Sequence, residues 1–159
     1  MPRHLLRSLI VLSLPVLLGV GPCTGGPRWL ERIPGGVLAG ETVPGKIDDF
    51  SFVNEVGLCK LEVRPSFPHS IVLNCFDDEG TLYIGCMQCE GKVWSAYVAD
   101  DPRARIRIGD KLYAVTMHRT TDEAEMQSAW VSRWEKTRGN RDAPPRPDHW
   151  WLYRLSSRQ

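Results

Sequence analysis

A chain of 159 residues that is 42% hydrophobic and 25% charged has room for one ordinary domain with appendages, and its composition excludes disorder throughout. The formal net charge of +1 shows no basic excess of the kind that phosphate backbones attract, so no nucleic-acid partner is expected.

Arg3 and Arg7 precede a short apolar run, Leu9 to Leu18, which contains Pro15 and is followed by small residues. The run falls short of the roughly 20 residues of a membrane span and reads as a signal peptide over 1–22, which sends the protein to the cell envelope. Val20-Gly21-Pro22-Cys23 resembles a bacterial lipobox, with Pro22 departing from the small residue usual before the cysteine. Lipidation at Cys23 makes the chain a membrane-anchored lipoprotein; simple secretion to the periplasm and an uncleaved anchor are the alternatives. Without 1–22 the chain keeps 18 basic against 19 acidic residues. Residues 23–49 are rich in Gly and Pro and show neither helical nor strand period, so they form a tether and an arm leading into a domain over 50–159.

Within that domain Val56 to Val63 and Ser70 to Phe76 are rich in β-formers and read as antiparallel neighbours, separated by a loop in which Pro65 and Pro68 cannot continue either ladder. Asp77 to Gly80 is a turn, and Thr81 to Cys86 returns as the third strand. Trp94, Tyr97 and Val98 then fall at helical spacing in a short helix, Val93 to Asp100, which Pro102 stops. Arg103 to Ile108 and Lys111 to Arg119 are strands around a Gly109-Asp110 turn. Thr120 and Glu123 form a capping box for a second helix with Met126, Trp130 and Trp134 on one face and Gly139 at its end. The Pro-rich run Ala143 to Asp148 is extended, and Trp150 to Leu155 is the last strand. Six strands with two helices, mostly hairpin-connected, predict a mainly-β (α+β) domain built on a closed or nearly closed antiparallel barrel, because closure removes unpaired edges.

Cys59, Cys75, Cys86 and Cys89 are an even set in an oxidising compartment, which suits disulfides. Centring the first hairpin on Phe67 sets Cys59 opposite Cys75, with Cβ atoms about 4.5–5.5 Å apart and close to disulfide length. A cross-strand disulfide and two buried thiols both satisfy that placement. Cys86-Met87-Gln88-Cys89 lies where a strand gives way to a helix, so it reads as a structural pair, as a redox site with a thiol pKa lowered by the helix start, or as half a zinc site. No second C-x-x-C and no paired His accompany it, so no metal is expected.

From Thr81 to Thr120 a strand leads into a Trp-bearing helix and then into a D-P-R-x-R-x-R-I strand, with Trp94, Asp101, Pro102, Arg103, Arg105 and Arg107 in that order. This wording resembles the flavin-reductase superfamily built on the split β-barrel of the pyridoxamine 5′-phosphate oxidases, nearest the deazaflavin-dependent nitroreductase and quinone reductase family. The resemblance covers Val53 to the C-terminus and implies a six-stranded, FMN-binding-like split barrel, a flavin ring in a groove along it, and a homodimer that completes the groove. It also implies a phosphate seat at Glu90-Gly91-Lys92, with Lys92, Ser95 and Arg103 in reach, where converging donors and a helix dipole favour an anion. Trp94 stands beside the supposed groove with Trp150 and Trp151, and His69 and Arg64 are candidates to meet the cofactor or its substrate. Each has a blander reading: Gly91 as a turn, Lys92 as a solvated charge, His69 as a surface residue.

Deazaflavin-binding relatives carry a Gly-Arg-Lys-Ser-Gly-like loop between the first two strands, where this chain has Arg64-Pro-Ser-Phe-Pro-His69. That departure favours FMN over a deazaflavin. No Ser-His-Asp order and no suitably placed pair of carboxylates is present, so hydrolase chemistry has no support, and no catalytic residue is assigned. Two functions follow: an oxidoreductase passing hydride or electrons to a small acceptor such as a quinone or nitro compound, or a non-catalytic split-barrel lipoprotein that binds a small molecule or an envelope partner.

Overall fold

The computed structural model describes residues 35–159; the expected signal peptide over 1–22, Cys23 and the first part of the Gly/Pro-rich arm lie outside the described residues. Among the described residues the elements are, in chain order, β1 (Glu41–Thr42), a 3₁₀ turn (Ser51–Glu55), β2 (Cys59–Val63), β3 (His69–Leu73), β4 (Cys75–Asp78), β5 (Thr81–Met87), α1 (Val93–Asp100), β6 (Arg103–Ile108), β7 (Lys111–Thr120), α2 (Glu123–Arg138) and β8 (Trp150–Ser157). Seven strands form one antiparallel path, β3-β2-β6-β7-β8-β5-β4, curled into a half-barrel. Two-residue β1 adds to β7 in parallel.

The expected six strands are thus corrected to seven in the curled sheet, and the difference arises at Asn74. The β-rich run from Ser70 to Phe76 is not one strand. It pairs with β2 through Leu73, then leaves that edge, and from Cys75 onward pairs with β5 at the opposite end of the path. A single chain segment therefore runs from one edge strand of the path to the other.

The first disulfide spans this seam. Cys59 and Cys75 are bonded, with Cα atoms 5.9 Å apart, so the expected pair is present, but the register that led to it is corrected. Val63 faces His69 and Cys59 faces Leu73, which centres the hairpin on Ser66 rather than Phe67. Cys75 reaches Cys59 because the chain has already turned at Asn74. Cys86 and Cys89 form the second disulfide, with Cα atoms 5.4 Å apart, and so leave no free thiolate for a metal.

Two apolar clusters hold the fold. The larger fills the barrel, with Leu61, Val63, Ile84, Ile106, Val115 and Leu155 from the strands and Trp94 and Val98 from α1. The smaller lies between the sheet and α2 and unites Phe76, Tyr83, Met126, Ala129, Trp130, Trp150 and Leu152. Trp150 packs over Gly85 so closely that a Cβ there would lie 2.6 Å from its indole nitrogen, so only glycine fits.

The N-cap of α2 is Asp122, not Thr120. Asp122 Oδ1 accepts the Glu125 N–H at 2.8 Å, while Thr120 is still in β7, paired with Leu152. The strand keeps pairing as far as Thr120, and the helix begins after it. The Glu125 carboxylate accepts from Thr120, Tyr83 and Arg154. Gly139 ends the helix in the left-handed conformation, as expected.

Residues 35–49 run along the barrel. The Leu38 N–H donates to Glu62 Oε2 at 2.6 Å, and the same buried carboxylate is held by Arg105 at 2.7 Å. Such a buried charge is tolerable only when paired and hydrogen-bonded in this way.

Candidate functional site

Helix α1 seals one end of the barrel with only part of its surface. Trp94 and Val98, one turn apart, enter the core, and Trp94 packs 5.3 Å from Tyr153. The neighbouring face carries Ala96 and Ala99, whose small side chains leave space between the helix and the strands. The result is a cleft of about 640 Å³ bounded by α1, by Met117 and Arg119 of β7, and by Trp151 and Tyr153 of β8. Its walls are mainly apolar and its size is that of a small-molecule or cofactor site.

Arg119 and Trp151 form the outer wall. The guanidinium lies 3.4 Å from the centroid of the indole ring, a cation–π contact that presents a flat, positively charged surface at the rim. Tyr153 is buried behind them, and burial raises its pKa, with Arg119 opposing. A neutral phenol is therefore what the cleft presents over the ordinary pH range. Lys92 and Glu90 complete the rim at the helix start.

The structure brings some of the expected site residues together. Lys92, the extended residue before α1, borders the cleft, and the N–H groups of Val93 and Trp94, first in the helix, have no acceptor inside it. Ser95 also lines the cleft, but its hydroxyl donates to the Cys89 and Lys92 carbonyls at 2.8 and 2.7 Å, so it fastens the helix start. Trp94 is buried in the core. Arg103 follows the other end of α1, about 12 Å away along a helix of eight residues, and is held by Asp101 at 2.7 Å. That pairing pulls the Asp101 carboxyl down to about 2.

Arg64 and His69 meet on the far side of α1. Arg64 donates to the Tyr97 hydroxyl at 3.3 Å and lies 4.8 Å from its ring centroid, and His69 packs edge-on to the same ring at 5.8 Å. Because Tyr97 lines the cleft, the loop between β2 and β3 acts on the site through it. The Cys86–Cys89 disulfide sits just before the helix, and Cys86 faces Trp151 across the β5–β8 ladder.

Arg119, Met117 and Tyr153 were not apparent as site residues. The available signal was alternation: Met117 and Arg119 lie two apart on β7, as do Trp151 and Tyr153 on β8, and residues two apart share a face. What hid it was the register between the strands, which sets Arg119 opposite Tyr153 and is not readable from either strand alone.

No protein-family model matches the chain, and no curated protein matches it. Solved structures do. A protein of Listeria innocua assigned to the pyridoxamine 5′-phosphate oxidases matches with a TM-score of 0.53 at 16% identity, over 67% of this chain and 88% of that one. A conserved protein of Mycobacterium tuberculosis without assigned function gives 0.52 at 16% identity, over 74% of this chain and 87% of its own. A protein of Bacteroides thetaiotaomicron assigned to 5-nitroimidazole antibiotic resistance gives 0.55 at 11% identity, over 72% and 82%. These likenesses show the fold: the curled antiparallel half-barrel with two helices is that of the split-barrel proteins.

Proposed function

We propose that this is an exported, lipid-anchored split-barrel protein that binds a flavin in the α1 cleft and acts as an oxidoreductase on a small acceptor such as a quinone or nitro compound. The observation that carries the reading is the cleft itself, about 640 Å³ between the Ala96–Ala99 face of α1 and the Arg119–Trp151 wall. Its residues fit a planar ring with an anionic tail: small side chains on one wall, an aromatic wall with a guanidinium at the rim, and Lys92 beside the free amides of a helix start. The Listeria protein is assigned by name to pyridoxamine 5′-phosphate oxidation and the Bacteroides protein to 5-nitroimidazole antibiotic resistance, and both names involve ring compounds.

When bound, the flavin would supply the redox chemistry. The chain's own residues bind and orient it: Trp151 and Met117 give the ring apolar contact, Lys92 holds negative charge, and Tyr153 keeps its proton. FMN is favoured over a deazaflavin, because the loop Arg64 to His69 spends its one arginine on Tyr97 and Phe67. The test is the visible spectrum of protein purified from its native host, followed by flavin titration. Bound flavin, or micromolar binding of added FMN, supports the reading; a colourless protein that binds no flavin defeats it. Anchoring is tested separately. A fatty-acid probe should label wild type and not Cys23→Ser, and equal labelling of the two would remove the lipoprotein claim.

A further inference from the structure

Lys92 borders two clefts. Beyond the one along α1 lies a second, of about 390 Å³, at the barrel seam between edge strand β3 and β5, reached by Lys92 and Trp94 from the start of α1 and by Arg133 from α2. No carboxylate lines it.

Arg133 is the second cation of this cleft. Arg103, Arg105, Arg141, Arg146 and Arg154 each have a carboxylate partner, whereas Arg133, like Arg64, Arg107, Arg119, Arg138 and Arg158, has none among the described residues; it packs against the Trp130 ring, 5.2 Å from its centroid. It is half-buried, and burial, with the nearby Arg138 charge, holds its pKa below the ordinary guanidinium value. A guanidinium with five donors and no protein acceptor, lining a cleft without a carboxylate, is open to an acceptor that enters the cleft.

The seam backbone adds donors. On β3 the N–H and C=O of Ser70 both bond Gly35, on the side away from β2. Backbone groups alternate sides along a strand, so Val72, two residues on and part of the cleft wall, also turns its N–H away from β2. The first amides of α1 add the positive end of a helix dipole.

We propose that the seam cleft is an anion seat that holds the phosphate of the ligand whose ring lies in the α1 cleft, with Arg133 as its principal cation and Lys92 shared between the two clefts. This rests on the flavin reading above. The proposal is tested by titrating FMN and riboflavin, which lacks the phosphate, into wild type, Arg133→Met and Arg133→Lys, with inorganic phosphate followed by amide chemical shifts in the same proteins. Wild type should bind FMN at least tenfold tighter than riboflavin. Arg133→Met should remove most of that preference with riboflavin affinity unchanged, and Arg133→Lys should keep part of it. Equal binding of the two flavins by wild type, or a preference untouched in Arg133→Met, overturns the seat and leaves the flavin reading standing. If neither flavin binds, that reading falls and phosphate decides the seat. Saturable shifts at Val72 and Lys92 that vanish in Arg133→Met support it, and their absence overturns it.

Discussion

Helix α2 is capped at both ends, by Asp122 and by Gly139, and seats Met126, Ala129 and Trp130 in a closed apolar cluster. Helix α1 starts from an extended Lys92 with no side-chain cap and has a cleft on either side of that start. The two pack on the same curled sheet, so the contrast is one of use. Where a helix serves stability, its end groups and apolar face are satisfied within the protein. Where a helix borders clefts, as α1 does, donors are left open and small side chains line its face.

The disulfides repeat the contrast. Cys59–Cys75 bridges a separation of 16 residues and ties the two edges of the sheet. Cys86–Cys89 bridges a separation of 3 and shapes only the approach to α1. In the chain-entropy view the longer loop contributes more.

Stability should therefore break first on the α2 side. Trp130→Ala empties the cluster beneath α2 and removes the indole hydrogen bond to the Pro144 carbonyl, with an expected loss of about 3–5 kcal/mol in denaturant unfolding. Replacing Cys59 and Cys75 together by Ala should cost about 3 kcal/mol, and the same change at Cys86 and Cys89 distinctly less. Equal losses would show that the seam is not what the first bridge secures.

Capping gives a smaller and sharper comparison. Asp122→Ala should cost about 1 kcal/mol, whereas Lys92→Ser, which supplies the cap that α1 lacks, should leave stability equal or raise it by a few tenths of a kcal/mol while weakening FMN binding. A destabilised Lys92→Ser would mean that the helix start is already satisfied.

The mildest effect is one of acid. Arg154, first, with Thr120 and Tyr83, holds the Glu125 carboxyl down to about 2 from an ordinary 4.5. The folded pKa is the lower, so this network's contribution is fully present above pH 4.5 and is lost as pH falls through 2. Melting temperatures measured across that window should fall less steeply in Glu125→Gln.

Much of this architecture is written locally. The range of α1, the end of α2, the Gly109-Asp110 turn and the strands β5 to β8 follow from spacing, Pro102 and Gly139, all signals carried by neighbours in the chain. The Asn74 break, the shift of the hairpin centre to Ser66 and the start of α2 at Asp122 depend on which strand is paired with which, and no local signal encodes that. The candidate site divides the same way. Lys92 stands out beside a helix start, while Arg119 and Arg133 gain their roles only when β7 meets β8 and when α2 reaches the seam.

The central claim is that the α1 cleft holds a flavin ring, and the direct measurement is FMN fluorescence during titration into wild type and Ala96→Trp. Ala96 is exposed and lines the cleft, so the larger side chain should fill the space with a change in stability within about 0.5 kcal/mol. Saturable quenching in wild type, weakened at least tenfold in an equally stable Ala96→Trp, is the predicted result. Wild-type binding that Ala96→Trp leaves unchanged, or no binding by wild type, would contradict it.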